Sequence, residues 1–174
     1  VNDNPEMFGR LKALEYINFV ADIYRVPTMV RKDRIESLAA TFQIADVLSN
    51  PIASLSRGMK KKVAIIASLV HDQQNWILDE PMVGLDPEAS FHMKELMRKR
   101  TGEGKCVFFS TNVMEVAEKV CDELAIINKG KILFVGTLES LRDLRAGQGA
   151  HNATSRSLEE LFLELVDETD GVSR

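Results

Sequence analysis

After His71 the sequence alternates short apolar runs with stretches of helical periodicity, and no other feature constrains the fold as much. Trp76-Ile77-Leu78, Cys106-Val107-Phe108-Phe109 and Leu124-Ala125-Ile126-Ile127 are each the length of a strand, with helical patterns between them. Such alternation predicts parallel strands joined by crossover helices. One crossover helix follows Asp86, which stands at its cap with Pro87 in its first turn. The next helical stripe uses Val113, Val116, Ala117, Val120 and Cys121. Asn128-Lys129-Gly130 then turns the chain into Ile132-Leu133-Phe134, an expected antiparallel hairpin at a sheet edge.

Ahead of this region, from Pro5 to about Val70, the pattern is helical throughout. Leu11, Leu14, Ile17, Val20 and Ile23 predict a helix apolar on more than one side. Ile35, Leu38, Ala39 and Phe42 recur at i, i+3, i+4 and i+7, and Met59, Val63, Ile66, Ala67 and Val70 form a third stripe, expected to be core. Arg145 to Thr154 contains little that could pack and reads as a linker. Ser157 and Glu160 fit a capping box before Leu158, Leu161, Phe162 and Leu165, which predicts a terminal helix. The expected organisation is a helical subdomain at 1–70, an α/β portion at 71–144, a linker at 145–156, and a helix with its tail at 157–174.

Composition excludes several classes. Hydrophobic residues make up 45% and charged residues 28%, so the chain can bury a core and is too apolar for a disordered segment. A net charge of -4 offers no footprint for a phosphate backbone, and nucleic-acid binding is not expected. The longest largely apolar stretch, Val63 to Val70 with Ser68 inside it, falls far below the ~18 residues of a membrane-spanning helix, so any membrane role is expected to require a partner. Cys106 and Cys121 lack metal or redox spacing and read as buried, reduced thiols. The chain begins at Val1, without a signal or transit pattern, and looks like an excerpt from a longer chain.

Four segments carry possible chemistry. Trp76-Ile77-Leu78-Asp79-Glu80-Pro81 is an apolar strand that delivers two adjacent carboxylates at its C-terminal end, where ligands collect in parallel α/β sheets. Asp79 there could hold Mg²⁺, which takes few protein oxygens and fills its shell from water and phosphate. Glu80, projecting differently, could polarise a water for in-line attack on a terminal phosphate. Leu55-Ser56-Arg57-Gly58-Met59 opens the third helix. Ser56 is a natural cap, Gly58 would let a phosphate approach the backbone, and Lys60, Lys61 and Lys62 would reinforce the positive field of the helix start. Gly84-Leu85-Asp86-Pro87 at its simplest caps the next helix. Ser110-Thr111-Asn112 ends a strand where a side chain could reach the same sheet edge as Glu80.

Together and in this order, these segments resemble the ABC ATPase family over about residues 2 to 144. Leu55 to Met59 resembles its signature motif, Trp76 to Glu80 its Walker B strand with the catalytic glutamate, and Gly84 to Pro87 its D-loop. Asn112 occupies the switch, or H-loop, position. Asn2-Asp3-Asn4-Pro5-Glu6 resembles the segment just after the Q-loop, and Ala117 to Gly136 fits the family's closing strands. The resemblance implies an α/β fold: the C-terminal part of a P-loop NTPase nucleotide-binding domain, with a mostly parallel sheet, plus a helical subdomain.

It also implies function. Two ATPase subunits, identical or different, would sandwich ATP and Mg²⁺ at the cytoplasmic face of a membrane. Ser56, Arg57 and Gly58 would meet the nucleotide of the other subunit, Glu80 would orient the attacking water, and Asp79 would serve Mg²⁺. Asp86 would link the two sites and Asn112 would contact the γ-phosphate. The helical subdomain would drive a transmembrane permease.

Three departures qualify that picture. The chain has no G-x-x-x-x-G-K-[ST] run, so it is expected to be inactive by itself. Asn112 stands in place of histidine, and an amide cannot take up a proton. Arg57 replaces the first signature glycine and Met59 the usual glutamine. The rival readings are a soluble ABC-family ATPase without a permease and a non-hydrolysing binding module.

Overall fold

Lys12 is extended, and its backbone N–H donates to the Glu15 carboxylate at 2.9 Å, which starts the first helix of the computed structural model, α1 (Ala13–Ile23). The structure describes residues 8–146 and 156–171. The segment Asn2 to Glu6 and most of the expected linker, 147–155, lie outside the described residues.

α2 (Thr28–Thr41) follows Pro27, and two single 3₁₀ turns, Ala45–Val47 and Ile52–Ser54, lead into α3 (Arg57–Leu69). The chain before α1 runs beside the chain before α3: the Ile52 N–H donates to the Leu11 carbonyl at 2.9 Å, and the Ala53 N–H to Gly9 at 3.0 Å. This places the entrance of α3 on a braced backbone.

α1 and α2 both pack on α3, whose Val63, Ile65, Ile66 and Ala67 are buried. Ile17, Ile35, Ala39 and Phe42 fill the facing positions, as the helical stripes predict. The more continuous apolar character of α1 leaves Leu14, Phe19 and Ile23 exposed on its outer side.

β1 (Asn75–Asp79) and β2 (Cys106–Ser110) pair in parallel, with Asn75 opposite Cys106 and Asp79 opposite Ser110. Their crossover is α4 (Pro87–Gly102). Alternation along β1 buries Trp76 and Leu78 and exposes Ile77. The Trp76 indole N–H donates to the Ser68 hydroxyl at 3.0 Å, and the Arg100 guanidinium lies 5.8 Å from the ring centroid. Truncating such a buried tryptophan costs about 3–5 kcal/mol. β2 alternates likewise, so Cys106 falls on the same exposed side as Phe108. The expected burial of this thiol is thereby corrected.

These elements form one compact unit, ending at Ser110; a second begins at Thr111. The second holds α5 (Met114–Val120), β3 (Leu124–Asn128), β4 (Lys131–Gly136), α6 (Leu138–Ala146) and α7 (Leu158–Gly171). β3 and β4 form the expected antiparallel hairpin. Lys129 and Gly130 both take positive φ, 49° and 75°, as a two-residue turn matched to the strand twist requires.

Among the described residues, β1 and β2 form one two-stranded sheet and β3 and β4 another. The tight turn brings β4 alongside β3 at once. The core of this unit is Ile126, Leu141, Leu158, Leu161 and Leu165. The capping box forms as expected: the Ser157 N–H donates to the Glu160 carboxylate at 3.0 Å, and the Glu160 N–H to the Ser157 hydroxyl at 3.3 Å. The first two residues of the expected linker, Arg145 and Ala146, instead complete α6, with the Arg145 side chain buried.

Candidate functional site

β1 delivers its two carboxylates at its C-terminal end. Asp79 is exposed, and its Oδ1 accepts a hydrogen bond from the Ser110 hydroxyl at 2.5 Å across the parallel register. Glu80 is half-buried and departs from the strand geometry, with φ at 43° in the left-handed region. That conformation costs a residue with a side chain about 1–2 kcal/mol. Three backbone contacts hold it. The Glu80 N–H donates to the Ser110 carbonyl at 3.1 Å, and the Glu80 carbonyl accepts from the Val83 N–H at 3.2 Å and from the Lys61 ammonium at 2.7 Å.

The helix start of α3 lies beside this turn. Ser56 caps it, accepting from the Met59 N–H at 3.3 Å, and both Ser56 and Arg57 are exposed. Gly58 is half-buried: a Cβ built on it would stand 3.0 Å from the Gly84 carbonyl oxygen. The room that this glycine leaves on the side of its missing Cβ is taken by the chain's own backbone. Gly84 itself has φ of 80° and needs the freedom of a glycine.

The lysines differ from expectation. Lys61 is 1% exposed and Lys62 forms an ion pair with Asp86 at 2.7 Å, so two of the three cations serve the chain's own loops instead of an open anion field. The helical period gives the reason, for Lys61 stands one turn before the buried Ile65. Asp86 caps α4 through the Ala89 N–H at 2.8 Å while its other oxygen meets Lys62. The Lys62 hydrogen bond, and after it the Ala89 N–H, hold the Asp86 carboxyl below its usual range.

The first unit thus gathers Ser56, Arg57, Gly58, Asp79, Glu80 and Asp86 around one strand end and one helix start. Asn112 is an exposed residue of the second unit, two positions beyond β2. The half-buried Thr111 hydroxyl before it accepts from the Val113 N–H at 3.1 Å.

Among the described residues no three or more His, Cys, Asp or Glu side chains gather into a metal cage. An exposed strand-end carboxylate such as Asp79 suits Mg²⁺, a cation that keeps several waters and shares phosphate oxygens, better than a metal needing an all-protein cage.

Comparison with known proteins bears on this arrangement. The family model described as ABC transporter matches residues 1–83. The ABC-type transporter ATP-binding protein EcsA of Bacillus subtilis is 30% identical over 171 residues, covering 98% of this chain and 67% of that protein. The ABC transporter ATP-binding protein NatA of the same organism is 33% identical over 135 residues, 78% of this chain and 55% of NatA.

A solved structure titled as the ATP binding subunit of an ABC transporter superposes with a TM-score of 0.85 at 31% identity, over 94% of this chain and 65% of that one. The chain spans about half the length of the first curated relatives it matches, 52% and 55%.

Proposed function

We propose a role that proceeds from the family to which this chain belongs, the ABC transporter ATP-binding proteins: the whole protein hydrolyses ATP between two such subunits to drive a membrane permease. The fold is part of a P-loop NTPase domain of that family. The finer roles are our reading of the site.

The observation that carries it is the paired strand end, with Asp79 bonded to Ser110 and Glu80 turned away from the strand by its left-handed backbone. Two adjacent carboxylates aimed differently can divide two tasks. Asp79 would hold Mg²⁺ directly or through its waters, and bound Mg²⁺ would neutralise charge on the phosphate oxygens. Glu80 would accept a hydrogen bond from the attacking water and orient it toward the terminal phosphate. Ser56 would donate its hydroxyl, and Arg57 its guanidinium, to the nucleotide held by the other subunit. Gly58 would keep the D-loop seated against the helix start. Asp86, bound to Lys62, would carry changes at one site to the loop between the two. Asn112 would donate its amide to the γ-phosphate.

The chain contains no G-x-x-x-x-G-K-[ST] run, so in this reading the cradle for the phosphates comes from elsewhere in the whole protein. Among the described residues no helix is long and apolar enough to cross a membrane. The test is hydrolysis by the full-length protein. Glu80→Gln is expected to lower turnover at least ~100-fold with ATP binding retained, and near-normal turnover would remove the role given to Glu80.

A further inference from the structure

We propose that Lys61 is a positioning residue for Glu80: its buried ammonium fixes the backbone turn that aims the Glu80 carboxylate. The inference rests on the assignment of Glu80 as the water-orienting group.

Lysine is almost never fully buried unless its charge is met, yet Lys61 is 1% exposed in the first turns of α3. Its Nζ donates to the Glu80 carbonyl at 2.7 Å, a short bond made stronger by the charge on the donor. That carbonyl belongs to a residue whose φ of 43° is unfavourable for any side chain but glycine's hydrogen.

The two ends of Glu80 are therefore held by different elements. Its N–H is tied to β2 through the Ser110 carbonyl at 3.1 Å, and its C=O is tied to α3 through Lys61. With the N–H fixed by the strand, the direction of the carbonyl sets the remaining backbone angle, and so the path of the chain from Glu80 into the loop. The Val83 N–H reaches the same carbonyl at 3.2 Å and closes that loop, but it is itself part of the turn and cannot anchor it to the rest of the unit. Lys61 provides that anchor from outside. A helix that opens at Ser56 thus holds, five residues later, the backbone of the proposed water-orienting glutamate in the same chain.

The experiment uses the full-length protein and three substitutions: Lys61→Met, which keeps the stem and removes the donor; Lys61→Gln, whose amide is one bond too short to reach; and Lys61→Arg, whose donors can reach. The first two are expected to lower kcat at least ~10-fold while KM for MgATP stays within ~3-fold, because a displaced Glu80 costs orientation and not nucleotide binding. Lys61→Arg is expected to keep kcat within ~3-fold of the parent. Should Lys61→Met not fold, Lys61→Gln against Lys61→Arg gives the same comparison.

A folded Met or Gln variant with kcat within ~2-fold of the parent overturns the proposal, and so does an Arg variant that falls as far as the other two. Glu80→Gln is measured alongside. If it abolishes turnover while the Lys61 variants do not, only the role of Lys61 fails; if Glu80→Gln turns over normally, the assignment of Glu80 fails with it.

Discussion

Removing the Asp86 side chain is expected to cost more than removing either of its two partners, because one carboxylate does two jobs. One oxygen caps α4 through the Ala89 N–H at 2.8 Å, and the other meets Lys62 at 2.7 Å. Loss of a helix cap costs about 1 kcal/mol. A charged hydrogen bond is worth about 1.5–3 kcal/mol, but Asp86 is half-exposed while the Lys62 side chain is 12% exposed, so solvent reduces the pair to about 1 kcal/mol.

Asp86→Ala should then lose about 2 kcal/mol, and Asp86→Asn, which keeps a good cap, about 1 kcal/mol. Lys62→Met should also lose about 1 kcal/mol, and the double variant Lys62→Met with Asp86→Asn no more than either alone, a coupling of about 1 kcal/mol. Urea unfolding read by Trp76, the single tryptophan and fully buried in the same unit, reports these values. The folded carboxyl titrates below its unfolded value, so this stabilisation is present above the ordinary carboxylate range and disappears as pH falls through the folded value. Additive single costs, or an Asn variant as unstable as the Ala variant, would mean that Asp86 does not join the α4 cap to Lys62.

Further outcomes follow from other side chains. Asp72 gathers Lys105 at 2.6 Å, Arg100 at 3.2 Å and Arg34 at 3.3 Å; burial pushes its carboxyl up, but these three cations outweigh it and hold it down. Asp72→Asn should cost about 1–2 kcal/mol in urea unfolding at neutral pH, after allowing for its partial exposure, and progressively less as acid protonates the parent carboxylate. In the folded chain a maleimide should label the exposed Cys106 well before Cys121, whose thiol is raised by burial; equal rates read by mass spectrometry would contradict this. In the full-length protein Asn112→His should raise ATP turnover several-fold by supplying a group that can carry a proton, and no gain would make the amide a sufficient substitute.

What could be read from the residues alone was local. The caps at Ser56, Asp86 and Ser157 and the Lys129-Gly130 turn each depend on neighbours within a few positions, and all appear as the patterns predict. The adjacency of Asp79 and Glu80 was visible for the same reason. The partners of Lys61 and Lys62 were not, because both are loops some 19 to 24 positions away and a run of three lysines reads as a solvated face. Only the period of α3 held a hint, since it puts Lys61 in line with Ile65. The left-handed backbone of Glu80 left no trace in composition, for glycine is the residue that normally marks such a position. The pairing of β3 with β4 was legible as well, because the tight turn after Asn128 names the partner that an apolar run by itself does not.

In the proposed function the helix start at Ser56 and the carboxylate at Glu80 serve different nucleotides within a pair of subunits. Mixing two inactive full-length variants, Glu80→Gln and Ser56→Arg, tests this directly through ATP hydrolysis. Each mixed pair retains one site whose glutamate and serine are both intact, and random pairing should restore about a quarter of the parent rate. If serine and glutamate instead serve the same nucleotide within one chain, every site carries a defect, and the mixture stays as inactive as its components.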